Sequence, residues 1–430
     1  MSIRNYNFVF QNVHPHGELA VSPIETNASE QPSVFSLLAQ DPPLASRDEL
    51  IFLLHIAAEV EHALLVEYLY AAYSLTDASQ HRPVLVKIAK EEMAHLIAVQ
   101  NVLLCLGAPL NFDREPEAYN TFYPFPFKLQ PLSLRSVAQY VLAEMPMEVP
   151  AGFGFDLPTV KLDAGIQAGD AGINRVGALF ERILDLIRTL PETEFSNASL
   201  PYQGDDWVHG GDMIIEDVAT RQNAVDLLKA VAAQGEGPEL GVDSHFERFF
   251  NIYQDIKSGG LTDSLGVGAD PNVHNSAAPG YIESPLARAW AAFANTRYRL
   301  LMTDMVHSFL YKKSAPGNPE HDRRKALTTH AITEMGRLRT INAKLIALPR
   351  HTVPQSPGGV LQVASLPFEL PYSLNLPAQE RDRWRTHLDI LQEAAIRAQA
   401  ITALLGQADP ALTNILNADS QSKTLFESFM

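Results

Sequence analysis

Cysteine is almost absent from the sequence: Cys105 is the single example in 430 residues. One cysteine excludes an internal disulfide framework and a thiolate metal cluster. Long apolar runs are also missing, because no uncharged stretch approaches the roughly 20 residues needed to span a bilayer. The N-terminus has no basic region followed by an apolar segment, which argues against an export signal. We therefore expect a soluble cytoplasmic protein.

Positive charge is scarce as well. Lys and Arg together number 33 against 50 Asp and Glu, which gives a formal net charge of −17. Such a surface repels phosphate backbones and anionic lipid head groups, so we expect neither nucleic acid nor a membrane as a partner. At 46% hydrophobic residues the chain can bury one large core or two modest ones.

Apolar residues recur at helical spacing along most of the chain, and no strand-like alternation is strong enough to indicate a sheet. The pattern predicts an all-α protein with an irregular arm over 1–46, a helical bundle over 47–257 and a helical extension over 258–430 packed on it. The extra helices leave room for a homo-oligomer. Long loops at 111–131 and 146–172 are rich in Pro, Gly or Phe, and such loops often form pocket walls. Helices are predicted near 48–75, 83–106, 134–144, 174–190, 221–234, 242–256, 285–312, 321–347 and 379–405.

The helix centred on Glu92 carries the clearest chemical signal. Glu92 and His95 lie within its apolar stripe, and residues three apart in a helix point to the same side. An ionised carboxylate on a core face is unfavourable unless something pairs with it, and a metal ion is one such partner. Bundles with a two-metal site place Glu-x-x-His pairs on facing helices. The stripe consists of Leu85, Ile88, Leu96, Val99 and Leu103.

Three other helices carry candidate ligands on or near core faces: Glu61, Glu181 and His245. Iron or manganese suits such mixed carboxylate and imidazole ligands, whereas structural zinc sites favour cysteine. A full two-metal site requires a second Glu-x-x-His pair. Val242 occupies the position, three residues before His245, where the glutamate of that second pair is expected. Whether one or two ions bind therefore stays open.

Each candidate also has an ordinary interpretation. His245 could be a hydrogen-bonded core histidine, and Glu181 a surface carboxylate paired with Arg188. Glu91, four residues after Lys87, fits a solvated ion pair. A second Glu-x-x-His, formed by Glu59 and His62, shows that the motif also occurs by chance. Other polar groups on the first helix could be hydrogen-bonded core groups or could orient a ligand: His55, Glu59 and Glu67.

Four segments resemble the ferritin-like family grouped with the iminophenyl-pyruvate dimer synthase of violacein biosynthesis. The first two, VEHALLVEYLYAAYSL at 60–75 and IAKEEMAHL at 88–96, are specific matches. The third and fourth, VGALFERI at 176–183 and DSHFERF at 243–249, are looser. Segments at 284–288 and 367–372 are similar to downstream parts of the family, so the resemblance spans about 48–405.

The resemblance implies a ferritin-like four-helix bundle with a carboxylate-bridged metal site made by Glu61, Glu92, His95, Glu181 and His245. Glu144 and Glu236 lie in segments similar to the family and could supply the oxygen missing at Val242. The implied activity is that of a non-haem iron, di-iron oxidoreductase or synthase that uses O₂ or peroxide on a small, amino-acid-derived substrate. The alternatives are a ferritin-like protein that binds metal without catalysis and one that has lost its metal.

Overall fold

The structure is a computed structural model that describes residues 44–114, 125, 127–149, 152–166, 175–195, 207, 213–237, 243–312, 314–352, 362–370 and 374–430. Its regular structure is helical, and strand-like pairing in these ranges is limited to isolated β-bridges such as Leu75 with Ser264. The predicted all-α class is therefore confirmed. The helices are α1 Ser46–Tyr73, α2 His81–Cys105, α3 Leu134–Ala143, α4 Leu157–Asp163, α5 Val176–Thr189, α6 Arg221–Glu236, α7 His245–Gly259, α8 Pro285–Ser308, α9 Pro319–Leu345, α10 Glu380–Leu405 and α11 Pro410–Ser428, with a 3₁₀ turn at Glu192–Phe195.

Helix α1 is the centre of the bundle. It packs against α2 and α5, while α6 bridges α2, α5 and α7, and α7 also contacts α3. Because α1 is apolar on almost every side, it is stable only when neighbours cover all of its faces. Its residues Leu50, Leu53 and Ala57 have no exposed surface.

The C-terminal helices form a second packed group. Helix α8 packs against α9 and α10, and α10 packs against α11. The main hydrophobic core is continuous from α1 into α8, where it includes Trp290, Phe293 and Tyr298. On the far side of α8, Leu300, Tyr311 and Trp384 belong to a smaller apolar cluster.

All nine predicted helices are present, with ends within about three residues of the prediction except for α8, which ends at Ser308. Two helices were not predicted. The short helix α4 begins with Pro158 in its first turn and lies inside the predicted loop 146–172. Helix α11 begins after Asp409, whose side chain accepts the N–H groups of Ala411 and Leu412.

None of the described helices is both long enough and apolar enough to cross a membrane. Most of the predicted N-terminal arm, residues 1–43, lies outside the described residues, and α1 already begins at Ser46. The predicted boundary between bundle and extension stays a prediction.

Candidate metal centre

Five candidate ligands from four elements meet inside the bundle. Glu61 comes from the middle of α1, and Glu92 and His95 come from one face of α2. His245 is the first residue of α7, and Glu144 directly follows α3. None of the five is more than 2% exposed. The apolar stripe of α2 carries its two polar members into the core, as predicted.

Glu92 lies between the two imidazoles. Its Oε2 is 3.1 Å from Nδ1 of His95, and its Oε1 is 2.7 Å from Nδ1 of His245. The two rings are stacked, with centroids 5.3 Å apart. Glu92 therefore faces one imidazole nitrogen with each of its two oxygens.

Each imidazole also has its own carboxyl neighbour. Oε2 of Glu61 is 3.5 Å from Nδ1 of His95, and Oε2 of Glu144 is 3.9 Å from Nδ1 of His245. Tyr68, seven residues after Glu61 on α1, donates its hydroxyl hydrogen to Oε1 of Glu144 at 2.6 Å. The cluster thus divides into two half-sites that share Glu92.

The outward nitrogens of both rings have acceptors that set the ring orientation. Nε2 of His95 lies 2.9 Å from Oε1 of Gln234. Nε2 of His245 lies 3.1 Å from Oε2 of Glu91, and that oxygen also accepts from Arg248 at 2.6 Å. Because these oxygens accept hydrogen bonds, each ring donates outward from Nε2 and turns Nδ1 towards Glu92.

Two buried oxygens in the cluster, Oε2 of Glu61 and Oε1 of Glu236, have no hydrogen-bond partner. Oε1 of Glu92 and Nδ1 of His245 face each other as a charge pair at 2.7 Å. Glu61, Glu92 and Glu236 line a common cavity of about 10 Å³ together with His95 and Glu144. A cavity of this size holds about one water molecule or ion. Because buried polar atoms are normally paired, the convergence of these atoms fits a bound cation.

Glu236, the last residue of α6, completes the cavity at its edge. Its side chain is 19% exposed, and Nη1 of Arg175 lies 3.8 Å from its Oε1. The carboxylate sits directly over Gly177 of α5, where an added Cβ would lie 1.6 Å from Oε1. A glycine at this position is therefore required for Glu236 to reach the cavity.

The carboxyl groups differ strongly in acidity. Burial, together with the adjacent charge of Glu92, raises the pKa of Glu61 well above its usual range. Burial also raises the pKa of Glu144 and of Glu236 to about 7. Burial opposes ionisation of Glu92 too, but His245 and His95 outweigh it and hold the pKa of Glu92 well below its usual range. Without a metal ion the cluster is stabilised by protons, which a cation would displace.

The structure places Glu181 differently from the prediction. It lies on the exposed side of α5, because the buried face of that helix is formed by Leu179, Phe180 and Ile183. The predicted ion pair with Arg188 is not seen either, since Arg188 contacts Asp185 at 2.8 Å. Val242 lies outside the described residues.

Two further assignments change. Glu91 forms the predicted ion pair with Lys87, at 3.9 Å, but it is not solvated: it is 2% exposed and also contacts His245 and Arg248. The second Glu-x-x-His motif is not part of the cluster, because the ring of His62 contacts the carbonyl of Phe112 and the hydroxyl of Tyr298. The roles of Tyr68 and Gln234 were missed. For Tyr68 a signal existed, since it lies two turns after Glu61 on the same face of α1.

Comparison with known proteins agrees with this architecture. Residues 54–254 match the family model described as Ferritin-like. The chain is 24% identical over 396 residues to dichlorochromopyrrolate synthase of Lentzea aerocolonigenes, covering 76% of this chain and 37% of that protein. It is 26% identical over 389 residues to 2-imino-3-(indol-3-yl)propanoate dimerase of Chromobacterium violaceum, covering 75% and 35%.

The chain thus spans little more than a third of the length of these relatives. Among solved structures, a ferritin-like protein from Caulobacter vibrioides is similar at 16% identity and a TM-score of 0.42, covering 66% of this chain and 94% of that one. The predicted family resemblance is confirmed. Over residues 54–254 the chain matches the ferritin-like family model, and its helical architecture agrees with that match.

Proposed function

We propose that the ferritin-like domain binds two metal ions, iron in the first place and manganese as the alternative. We further propose that the chain takes part in an oxidative synthase reaction on a small organic substrate. The observation that carries this proposal is that four carboxylates, those of Glu61, Glu92, Glu144 and Glu236, converge on one cavity. Oε2 of Glu61 and Oε1 of Glu236 have no hydrogen-bond partner there.

Charge balance supports two ions. Among the described residues, no Lys or Arg nitrogen lies within 4.0 Å of the carboxylates of Glu61, Glu92 or Glu144, and Arg175 only approaches Glu236. Four carboxylates carry four negative charges, which two divalent cations would balance. A di-metal bundle uses four carboxylates and two histidines, and this cluster offers the same set. Glu144 takes the place of the carboxylate that the Val242 position lacks.

In this proposal the protein supplies ligand geometry and a dry environment. Glu61 and His95 would hold one ion, Glu144 and His245 the other, and Glu92 would bridge them, with Glu236 at the open edge. A metal pair supplies redox chemistry with O₂ or peroxide. Tyr68 fixes Glu144, and the acceptors Gln234 and Glu91 fix the two rings.

The substrate class is drawn from the relatives and from a second cavity. The names of the two relatives denote a synthase and a dimerase, the latter of an amino-acid-derived imine. On the other side of α1, a cavity of about 20 Å³ is bounded by α1, α3 and the loop predicted to form a pocket wall. That volume holds one or two water molecules. The cavity is lined by residues that include Val60, Leu64, Glu67, Phe125, Phe127 and Tyr140.

Anaerobic loading with Fe(II) followed by exposure to air tests the proposal. We expect about two iron ions per chain, with oxygen uptake and a change in the visible spectrum. Glu92→Gln should lose iron binding and oxygen uptake, whereas Asp185→Asn, on the exposed side of α5, should keep them. Iron bound without oxygen uptake would support the non-catalytic alternative. Absence of iron from the wild-type chain would contradict the proposal.

A further inference from the structure

The cavity of the bundle cluster approaches the protein surface at one edge. All but two of the residues that line it are buried. The two exceptions, Ala232 and Glu236, lie one turn apart at the end of α6. Across from them is Gly177, the second residue of α5, which has no side chain to close the gap. The described lining therefore opens towards solvent between the end of α6 and the start of α5.

Glu236 stands in this opening and is held loosely. Its side chain is 19% exposed, and its Oε1 has no hydrogen-bond partner. Nη1 of Arg175, directly before α5, lies 3.8 Å from that oxygen. This distance is too long for a hydrogen bond, so the guanidinium balances the charge of the carboxylate without fixing its position. A metal ion could therefore take the place of Arg175.

Further carboxylates lie on both sides of the opening. On the inner side, Oε2 of Glu144 would be 3.1 Å from a Cβ added to Gly235, so it rests against the last turn of α6. On the outer side, Glu181 is exposed and follows Gly177 by one turn of α5. Helical side chains lean towards the N-terminus, so Glu181 leans towards that turn. Burial raises the pKa of Glu236, and the negative charges of Glu181 and Glu144 add to this rise, which shows that both lie within electrostatic range of it.

The inner end of this series is a buried oxygen without a partner. Glu61 is 1% exposed and lines the same cavity, and its Oε2 has no hydrogen-bond partner. Because buried polar atoms are normally paired, this oxygen points to a cation as the ligand of the cavity. The carboxylates of Glu181, Glu236 and Glu144 then lie in order between the surface and that position.

We propose that metal ions enter the bundle cluster through this opening and that Glu181 is the carboxylate they contact first. An entering ion would pass from Glu181 to Glu236, from which it displaces Arg175, and then to the inner ligands. Glu181 would not contact the ions once they are bound. The inference rests on the proposed metal site and adds the route by which that site is filled.

Stopped-flow mixing of the full chain with Co(II) tests this route, because the visible absorption of bound Co(II) reports loading without turnover. Glu181→Gln should slow entry about threefold at low ionic strength, since an exposed charge steers an approaching ion. Release should slow equally, so the equilibrium affinity and the number of bound ions should not change. The difference from the wild type should shrink at high salt, which screens exposed charges. Arg175→Gln should accelerate entry, because no guanidinium then competes for Glu236.

Asp185→Asn is the matched control. It removes the same charge from the exposed side of α5, one turn beyond Glu181, where Asp185 pairs with Arg188 at 2.8 Å. This variant should load Co(II) at the wild-type rate. Wild-type rates in both Glu181→Gln and Arg175→Gln, or equal slowing by Glu181→Gln and Asp185→Asn, would overturn the route.

The amount of Co(II) bound at equilibrium separates this inference from the proposed function. A Glu181→Gln chain that binds fewer ions than the wild type would overturn the route, because Glu181 would then be a ligand of the filled site. A wild-type chain that takes up no Co(II) would contradict the metal site itself, and the route with it. Uptake of Co(II) by all variants at one common rate would leave the metal site standing and refute the route alone.

Discussion

Two buried polar clusters in this molecule handle charge in opposite ways. In the bundle, Glu61, Glu92 and Glu144 meet two imidazoles. In the C-terminal helices, Arg297 and Arg337 each contact both Glu334 and Asp419. We refer to these last four residues as the C-terminal charge network. It balances two carboxylates with two guanidiniums, whereas the bundle cluster has an excess of carboxylates.

The difference shows why geometry alone does not identify a metal site. His330, Glu334 and Asp419 also present ligand atoms within 4.8 Å of one another, as Glu92, His95 and His245 do. In the network, however, Arg297 donates to Asp419 at 2.8 Å and 3.0 Å and also to Glu334. A cation there would have to displace or face two buried arginines. Among the described residues, the carboxylates of the bundle cluster contact imidazoles and no guanidinium.

The largest change in the free energy of unfolding is expected when a positive charge is removed from the C-terminal charge network. Arg297→Met leaves Glu334 and Asp419 buried with a single guanidinium. We expect a loss of about 3–5 kcal/mol in the free energy of unfolding, the usual effect of breaking a buried ion pair. Urea unfolding monitored by circular dichroism measures it. Arg339→Met on the exposed side of α9 is the control and should change stability by less than about 0.5 kcal/mol. Equal effects of the two variants would show that the network is not a buried charge balance.

Glu144 and Glu236 should each give the metal-free protein a contribution to stability that depends on pH. Burial raises the pKa of Glu144 and Glu236 from 4.5 to about 7, so at these two groups the folded state binds more protons than the unfolded state between these values. Their contribution to stability should therefore fall as pH rises from 4.5 to 7, by roughly 3 kcal/mol for Glu144 alone. The raised pKa values of His95 and His245 act in the same direction.

Urea unfolding in EDTA at several pH values measures this slope. Relative to the wild type, Glu144→Gln should lose a fall of about that size, since the amide does not titrate, and added Mn(II) should oppose the fall because metal binding requires deprotonated ligands. An equal pH dependence of the two proteins in EDTA would contradict the assignment.

A smaller effect is expected from the group that orients His245. Glu91→Ala removes the acceptor of Nε2 and should weaken the binding of one metal ion 10–100-fold, as loss of such a partner typically does. Calorimetric titration with Co(II) measures it. Glu91→Gln keeps an acceptor oxygen and should retain most of the affinity. Asp243→Asn is the matched control, because Asp243 contacts the same Lys87 and Arg248 without touching His245. Equal weakening by Glu91→Ala and Asp243→Asn would show a general charge effect.

The smallest expected effect on stability distinguishes the bundle cluster from the C-terminal charge network most clearly. Glu61→Gln removes a buried carboxyl that has no full partner, so in EDTA we expect the protein to become more stable by about 1 kcal/mol. The same variant should lose the stabilisation by Mn(II) that the wild type shows in thermal unfolding. In the network, Glu334→Gln should instead destabilise the protein. A Glu61→Gln variant that is less stable in EDTA would mean that the cluster is complete without a metal.

Helical periodicity accounts for the part of the site that could be predicted. Glu61, Glu92 and His95 lie on apolar faces of continuous helices, and His245 begins another, so one-dimensional spacing indicates that they point inward. Glu144 and Glu236 lie at helix ends, where their direction depends on tertiary packing. The burial of Glu91 was not predicted, because a lysine four residues away is typical of a surface ion pair and the spacing does not show which helices cover the carboxylate.

The C-terminal charge network was not predicted, for a different reason. Arg297 and Asp419 are 122 residues apart, and Asp419 lies on a helix whose sequence is largely polar. Long-range pairing of this kind has no periodic signal in the sequence. The start of α11 did have a signal in the sequence, since Asp409 followed by Pro410 is a common way to begin a helix.

The most direct test is an anomalous-scattering map from crystals grown with Mn(II). We expect strong density among Glu61, Glu92, His95, Glu144 and His245, bridged by the two oxygens of Glu92, and none beside His330 and Glu334. An empty bundle cluster, or manganese at the C-terminal network instead, would contradict the claim that uncompensated buried carboxylates mark the metal site.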